Sequence, residues 1–164
     1  MIGRSHRRPV HRSTRGMRTT VNYASRVEVA HRAKLERLLF FNGCQSRVAA
    51  AIVDAIDKFG PPEIHEEDGW LRVRVAGLPD VQSLFALDPA SGEPLGIAVY
   101  TRPDLEHISV VHVGLAEEYC AGGERESVNL LLKLIQEIRR SSRRVKGVRR
   151  LRVHYGVQRT RPLA

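Results

Sequence analysis

Two stretches of this sequence hold residue types that could do chemistry on an anion. The first is EEYCAGGERE, residues 117–126, in which Gly122-Gly123 follow an alternating apolar run and precede an amphipathic one. A glycine loop that leaves a strand and opens a helix is a phosphate cradle in chemical terms, because the first helical N–H groups lack partners and point outward. The same residues also read as a plain helix-entry turn, with Glu124 and Glu126 complementing the helix dipole. The second stretch is basic. Arg139, Arg140, Arg143, Arg144, Lys146, Arg149, Arg150 and Arg152 occur with no acid between them. Gathered on one surface they would neutralise phosphates of a nucleic acid, and dispersed they would be a solvated face. With four Phe, four Tyr and one Trp in the whole chain, any such binding would follow the backbone and not read bases.

Other chemistry finds little footing. His65-Glu66-Glu67-Asp68 contains metal-ligand types, but a loop tetrapeptide rarely supplies a coordination geometry, and a solvated acidic turn is the expectation; no metal site is assigned. Nucleophile-elbow, Walker and dinucleotide fingerprints are not found. Two cysteines, Cys44 and Cys120, make neither a disulfide framework nor a metal site, and are expected to be reduced thiols of a cytoplasmic protein, with a mutual disulfide as the alternative. The net charge of +9 favours anionic partners. No apolar run approaches the roughly 20 residues of a membrane span, no secretory signal is visible, and no membrane partner is expected.

These residues must be positioned by a fold. Residues 1–22 carry Arg4, Arg7, Arg8, Arg12, Arg15 and Arg18 and no acid, which predicts a disordered basic arm. A solvated tail, a nucleic-acid contact, an organelle-targeting segment and a true start at Met17 all fit it. Residues 23–164 are expected to form one domain. Val27, His31, Leu35, Leu38 and Leu39 recur at helical spacing and predict a helix over 25–41. Val48, Ile52, Ile56 and Phe59 predict a second over 45–59, stopped by Gly60-Pro61-Pro62. Strands are predicted from Glu63, over 70–75, 82–87, 94–101 and 106–115, with connections short enough for an antiparallel meander. In the fifth of these, His107 and Ser109 alternate onto one face and His112 onto the other. A long helix over 124–143 follows, with Val128, Leu131, Leu132, Ile135 and Ile138 as its apolar stripe. A last strand over 148–154 should then lie parallel to strand 106–115. The fold class is α+β, a three-layer arrangement with a mostly antiparallel sheet flanked by helices.

The segments PLGIAVYT, HISVVHVGL, EEYCAGGERE, SVNLLLKLIQEIRR and VRRLRVHY, in this order, resemble the GNAT superfamily of N-acetyltransferases over roughly Trp70 to Tyr155. In that family a loop of pattern Gln/Arg-x-x-Gly-x-Gly/Ala after the fourth strand binds the pyrophosphate of acetyl-CoA. Gly123 matches its first glycine, while Cys120 and Arg125 stand at the flanking positions. The resemblance implies an acyl-CoA-dependent N-acyltransferase-like protein, catalytically weak or inactive, with acetyl-CoA or another acyl-CoA as cofactor. Gly122, Gly123 and Arg125 would hold the pyrophosphate and the backbone of Val111 and Val113 would line the thioester. Glu106 or His107 would accept the proton of the amine. The family continues past its fifth strand with a helix and two strands where only Gly156–Ala164 remain, so the resemblance implies a shortened or divergent member, with completion as a homodimer through its open edge as one expectation. The other reading is a non-enzymatic nucleic-acid-binding or protein-interaction module that uses Arg139–Arg152.

Overall fold

In the computed structural model, which describes residues 20–40, 42–154 and 161–162, the chain alternates sheet and helix. β1 (Asn22–Ala24) and β2 (Val27–Glu28) come first. A 3-10 turn leads into α1 (Arg32–Phe40), and a longer one over Gly43–Val48 leads into α2 (Ala49–Phe59). Then come β3 (Pro62–Glu67), β4 (Trp70–Val75), β5 (Val81–Leu87), β6 (Pro94–Thr101) and β7 (His107–Leu115). α3 (Leu130–Ser142), β8 (Arg150–Val153) and β9 (Arg161–Pro162) complete it. Apart from residues 20–22 the predicted arm lies outside the described residues, as does Tyr155.

The strands make two sheets, not one meander. β1-β5-β6-β7-β8-β9 form the main sheet and β2-β4-β3 a small one. All neighbours in the main sheet are antiparallel except β7 and β8, whose parallel pairing follows from the α3 crossover. The hairpin β3–β4 turns at Asp68 (φ 53°) and Gly69 (φ 77°), the left-handed pair that a two-residue turn requires. On β4 the alternation is as predicted: Leu71, Val73 and Val75 are buried, while Arg72 and Arg74 are exposed.

Three sequence expectations need correction. The predicted arm ends too late, since Val21 packs against the core and Asn22 pairs with Leu87. The predicted first helix begins too early: Val27 is buried in β2 opposite Leu71, and only Leu35, Leu38 and Leu39 make the buried face of α1. The predicted long helix also begins too early. Asn129 sits in the left-handed region (φ 52°), which cuts the 3-10 turn Glu126–Val128 from α3. Glu124 and Glu126 are therefore not in its first turn. Its buried stripe is Leu130, Leu134, Ile138 and Ser142, with Leu131 and Leu132 exposed.

α3 covers one face of the main sheet, and α1, α2 and the small sheet the other. On the α3 face, a side chain at Gly96 would meet Leu115, Leu130 and Leu134 at 3.0–3.2 Å. On the opposite face the backbone of α1 crosses so near β7 that a Cβ at Gly114 would lie 2.4 Å from the Leu38 carbonyl oxygen. Phe85, Ile97, Val99, Val110 and Val111 fill the centre of the core.

A bulge decides what β7 presents. Tyr100 pairs with Val110 but Val99 pairs with His112, so Val111 is one residue extra. The extra residue reverses the alternation, and His112 joins His107 and Ser109 on the α2 face instead of opposing them. This corrects the simple parity reading.

Candidate functional site

β7 runs between two ends of opposite charge. At its start, the β6–β7 turn (102–106), the C-terminal turn of α3 and the start of β8 come together. They are stitched by backbone and side chain: Arg149 N–H and Arg150 N–H donate to the Glu106 carbonyl at 2.8 and 3.0 Å. Arg102 donates to the carbonyls of Asp104, Leu105 and Lys146 at 3.2, 2.7 and 3.3 Å. Arg102 and residues 143–152 thereby place seven cations at this end against two carboxylates, Asp104 and Glu106. Arg143, Arg144, Lys146, Arg149, Arg150 and Arg152 are all exposed. Of the other two basic residues singled out in the sequence, Arg139 is half-buried and Arg140 is held by Glu137 at 2.8 Å. The centre of the patch thus shifts past the helix end onto the loop and β8.

Glu106 and His107 belong to this same end. Asp104 Oδ1 accepts the N–H groups of Glu106 and His107 at 2.8 and 2.9 Å, and the carboxylate meets His107 Nδ1 at 2.8 Å. The His107 bond and these N–H groups hold the Asp104 carboxyl below the usual carboxylate range. The other ring nitrogen of His107, Nε2, is shut away from solvent with no hydrogen-bond partner among the described residues. An imidazole so placed braces a turn and offers no lone pair to a substrate. Asp104 belongs to the Arg102-Pro103-Asp104 turn signal, and an Asp just after Arg-Pro is a ready acceptor for the following N–H groups.

The far end of β7 is acidic. An open groove of about 360 Å³ there is lined by Lys34, Asp88, Ser91, Glu93, Leu95, Glu118, Glu124 and Arg125. The glycine loop lies beside it with its donors already in use. Gly122 N–H donates to the Glu126 carboxylate at 2.9 Å, Gly123 N–H to Cys120 O at 2.9 Å, and Arg125 N–H to Glu118 O at 2.6 Å. Gly123 is needed for closeness, because a Cβ there would sit 2.5 Å from the Glu117 carbonyl oxygen. The Arg125 guanidinium donates to Tyr119 Oη at 2.9 Å and lies over that ring. Among the described residues no group of three or more His, Cys, Asp or Glu could hold a metal ion, and none of the helices is long and apolar enough to cross a membrane.

Cys44 and Cys120 form a disulfide with Cα atoms 6.1 Å apart, which corrects the expectation of two reduced thiols. It fastens the α1–α2 connection to the end of β7, where Asn42 also donates to Leu115 O and Gly43 N–H donates to the Glu117 carboxylate at 3.1 Å. The expectation of a cytoplasmic chain loses the support it drew from free thiols.

No protein-family model and no curated protein matches this sequence. Val111 is buried in the bulge and Val113 is half-buried further along β7. Eight residue steps, roughly 26 Å of strand, separate His107 from Leu115. The strand therefore does not bring the base candidates Glu106 and His107 to the glycine loop, and they stand roughly 13 Å or more from Val111.

Proposed function

We propose that this chain binds nucleic acid through the basic end of β7, in a backbone-directed manner. The observation that carries the reading is the convergence of Arg143, Arg144, Lys146, Arg149, Arg150 and Arg152 with the Arg102-braced turn. Six exposed cations gather around this end of β7, and the arginine forks suit phosphate oxygens. The acidic groove at the opposite end repels the same polyanion and orients the chain on it. A titration of labelled mixed-sequence duplex between about 50 and 200 mM salt tests this, since each neutralised phosphate contributes about 0.9 to the log–log slope. Replacing Arg143, Arg144, Arg149 and Arg150 together by Ala is expected to abolish binding. Undiminished binding by that variant would falsify the assignment.

One observation favours a second reading, an acyl-CoA-dependent N-acyltransferase-like protein of weak or no activity. Among the described residues, β8 ends its pairing with β7 at the bond from His154 N–H to Val110 O, and β7 continues through Leu115. A strand edge that opens beside Val111 and Val113 could pair with an extended amide-bearing arm. Titration with acetyl-CoA, followed by chemical shifts at Val111–Val113 and Gly122–Arg125, tests it, and silence at millimolar ligand removes it. Homodimerisation stays a proposal in either reading. Among the described residues, β9 pairs with the start of β8, Pro162 with Arg150 and Arg161 with Leu151.

A further inference from the structure

Among the described residues, Leu105 is the most exposed of the large apolar side chains left outside the core, at 74%. A lone exposed leucine is ordinary on a protein surface. The surroundings of this one are not. It stands at the tip of the β6–β7 turn, between Asp104, whose carboxylate takes three N–H groups, and Glu106, whose carbonyl takes two. Its own carbonyl accepts the Arg102 guanidinium at 2.7 Å. The α3–β8 loop comes so close behind it that a Cβ at Gly147 would lie 3.2 Å from that same carbonyl oxygen. Val145, on the same loop, is 41% exposed. The backbone is thus braced on both sides while the side chain projects, and Arg102 and the α3–β8 loop tie the turn to the basic end of β7.

We propose that Leu105 is a wedge: the basic edge grips the phosphates of a nucleic-acid duplex, and Leu105 enters the minor groove and parts a base step. The inference rests on the reading of the edge as a nucleic-acid surface, and it supplies the substrate class, a deformable duplex. Proteins that kink duplexes use an apolar side chain flanked by cations, because partial unstacking is offset by the phosphate contacts that the bend permits. Pyrimidine–purine steps unstack most readily, so preference would arise without hydrogen bonds to base edges. An anionic bilayer would also accept an exposed leucine at a basic end of the protein. Bracing separates the two cases: a fluid headgroup layer yields to any apolar loop, whereas parting a stack requires a tip that does not give.

The test compares full-length protein and Leu105→Ser on end-labelled duplexes with a central TA step carrying 2-aminopurine, and on duplexes without such a step. Binding is followed by anisotropy, bending by energy transfer between the ends, and unstacking by 2-aminopurine emission. The wild type is expected to prefer the TA duplex by about tenfold, to shorten the end-to-end distance and to raise the emission. Leu105→Ser should keep the salt slope, lose the bend and the emission change, and narrow the preference to about twofold. If Leu105→Ser bends and unstacks the duplex as the wild type does, the wedge is overturned and the basic edge stands. If the wild type binds no duplex, both fall. If Leu105→Ser loses only binding to phosphatidylserine-containing vesicles, the surface belongs to a membrane and the wedge is again overturned.

Discussion

The carboxylate of Glu126 accepts the N–H of Gly122 at 2.9 Å, so the chain supplies its own anion to the loop that a phosphate would otherwise occupy. Gly122 is in the left-handed region (φ 86°), which turns its N–H inward toward that carboxylate. Removing the acid should free the donor and one negative charge together. Glu126→Ala is expected to bind pyrophosphate about three- to tenfold more tightly than the wild type at low salt. Chemical shifts of Gly122 and Gly123 on pyrophosphate titration are the readout. Equal, flat titrations of both proteins would mean that the surrounding Glu118 and Glu124 dominate.

The disulfide offers a sharper stability test. Cys44 and Cys120 are separated by 76 residues, and closing a loop of that size restricts the unfolded chain substantially. Cys44→Ser/Cys120→Ser is expected to lose about 2–4 kcal/mol, seen as a lower denaturant midpoint with an unchanged native fold. Dithiothreitol should move the wild type toward the variant and leave the variant itself where it was. If reductant shifts both equally, the cross-link is not the source.

Much of this architecture was legible in the residues, and the failures share a cause. β4 and β6 were read to the residue because Leu71, Val73 and Val75 alternate cleanly and Pro94 and the Arg102-Pro103 turn bound the next run. β1 and β2 span three and two residues, too few to show a period of two, so Val27 passed for a helix residue. Asn129 looked like an interior helical position, and only its left-handed backbone reveals the break. The Val111 bulge has no composition signal, yet it alone decides which face His112 takes. The basic end was visible as a run. The acidic end was not, because Asp88 and Glu93 come from one loop and Glu118 and Glu124 from another.

Gly114 is the point where α1 rests on β7. Its missing side chain leaves room for the Leu38 carbonyl, and a methyl group would come within 2.4 Å of that backbone oxygen. Backbone cannot rotate away as a side-chain tip can. Gly114→Ala should therefore lift the end of α1, at a cost of about 1–3 kcal/mol. Gly69→Ala makes the comparison, since nothing lies within 4 Å of that position and only its left-handed backbone (φ 77°) resists the change. It is expected to lose roughly 1 kcal/mol. Chemical denaturation orders the two, and a milder effect at Gly114 would show that α1 does not bear on the strand there.

His112 is buried on the α2 face, and desolvation holds its pKa below the ordinary 6.5, opposed in part by a bond to the Gly60 carbonyl. His154 packs edge-on against Phe59 with ring centroids 4.9 Å apart. Its pKa is also lowered, first by burial, then by Lys58 and Arg152, with Asp54 acting the other way. In both cases the unfolded chain takes up a proton more readily than the folded one. Above about pH 7 neither state is protonated and the two histidines leave stability unchanged. As pH falls through about 6.5 the unfolded state gains protons first, so stability declines until the folded-state pKa values are passed. Asp104 and Asp88, whose carboxyls are held low by hydrogen bonds to His107 and to the backbone of residues 90 and 91, act only in the more acidic range where carboxylates protonate. Denaturation midpoints measured from pH 8 to pH 5 should therefore slope downward only below about 7. His112→Gln retains a polar group facing Gly60 without titrating, and it should flatten that slope. A slope unchanged in His112→Gln would assign the loss to His154, which His154→Gln would then remove.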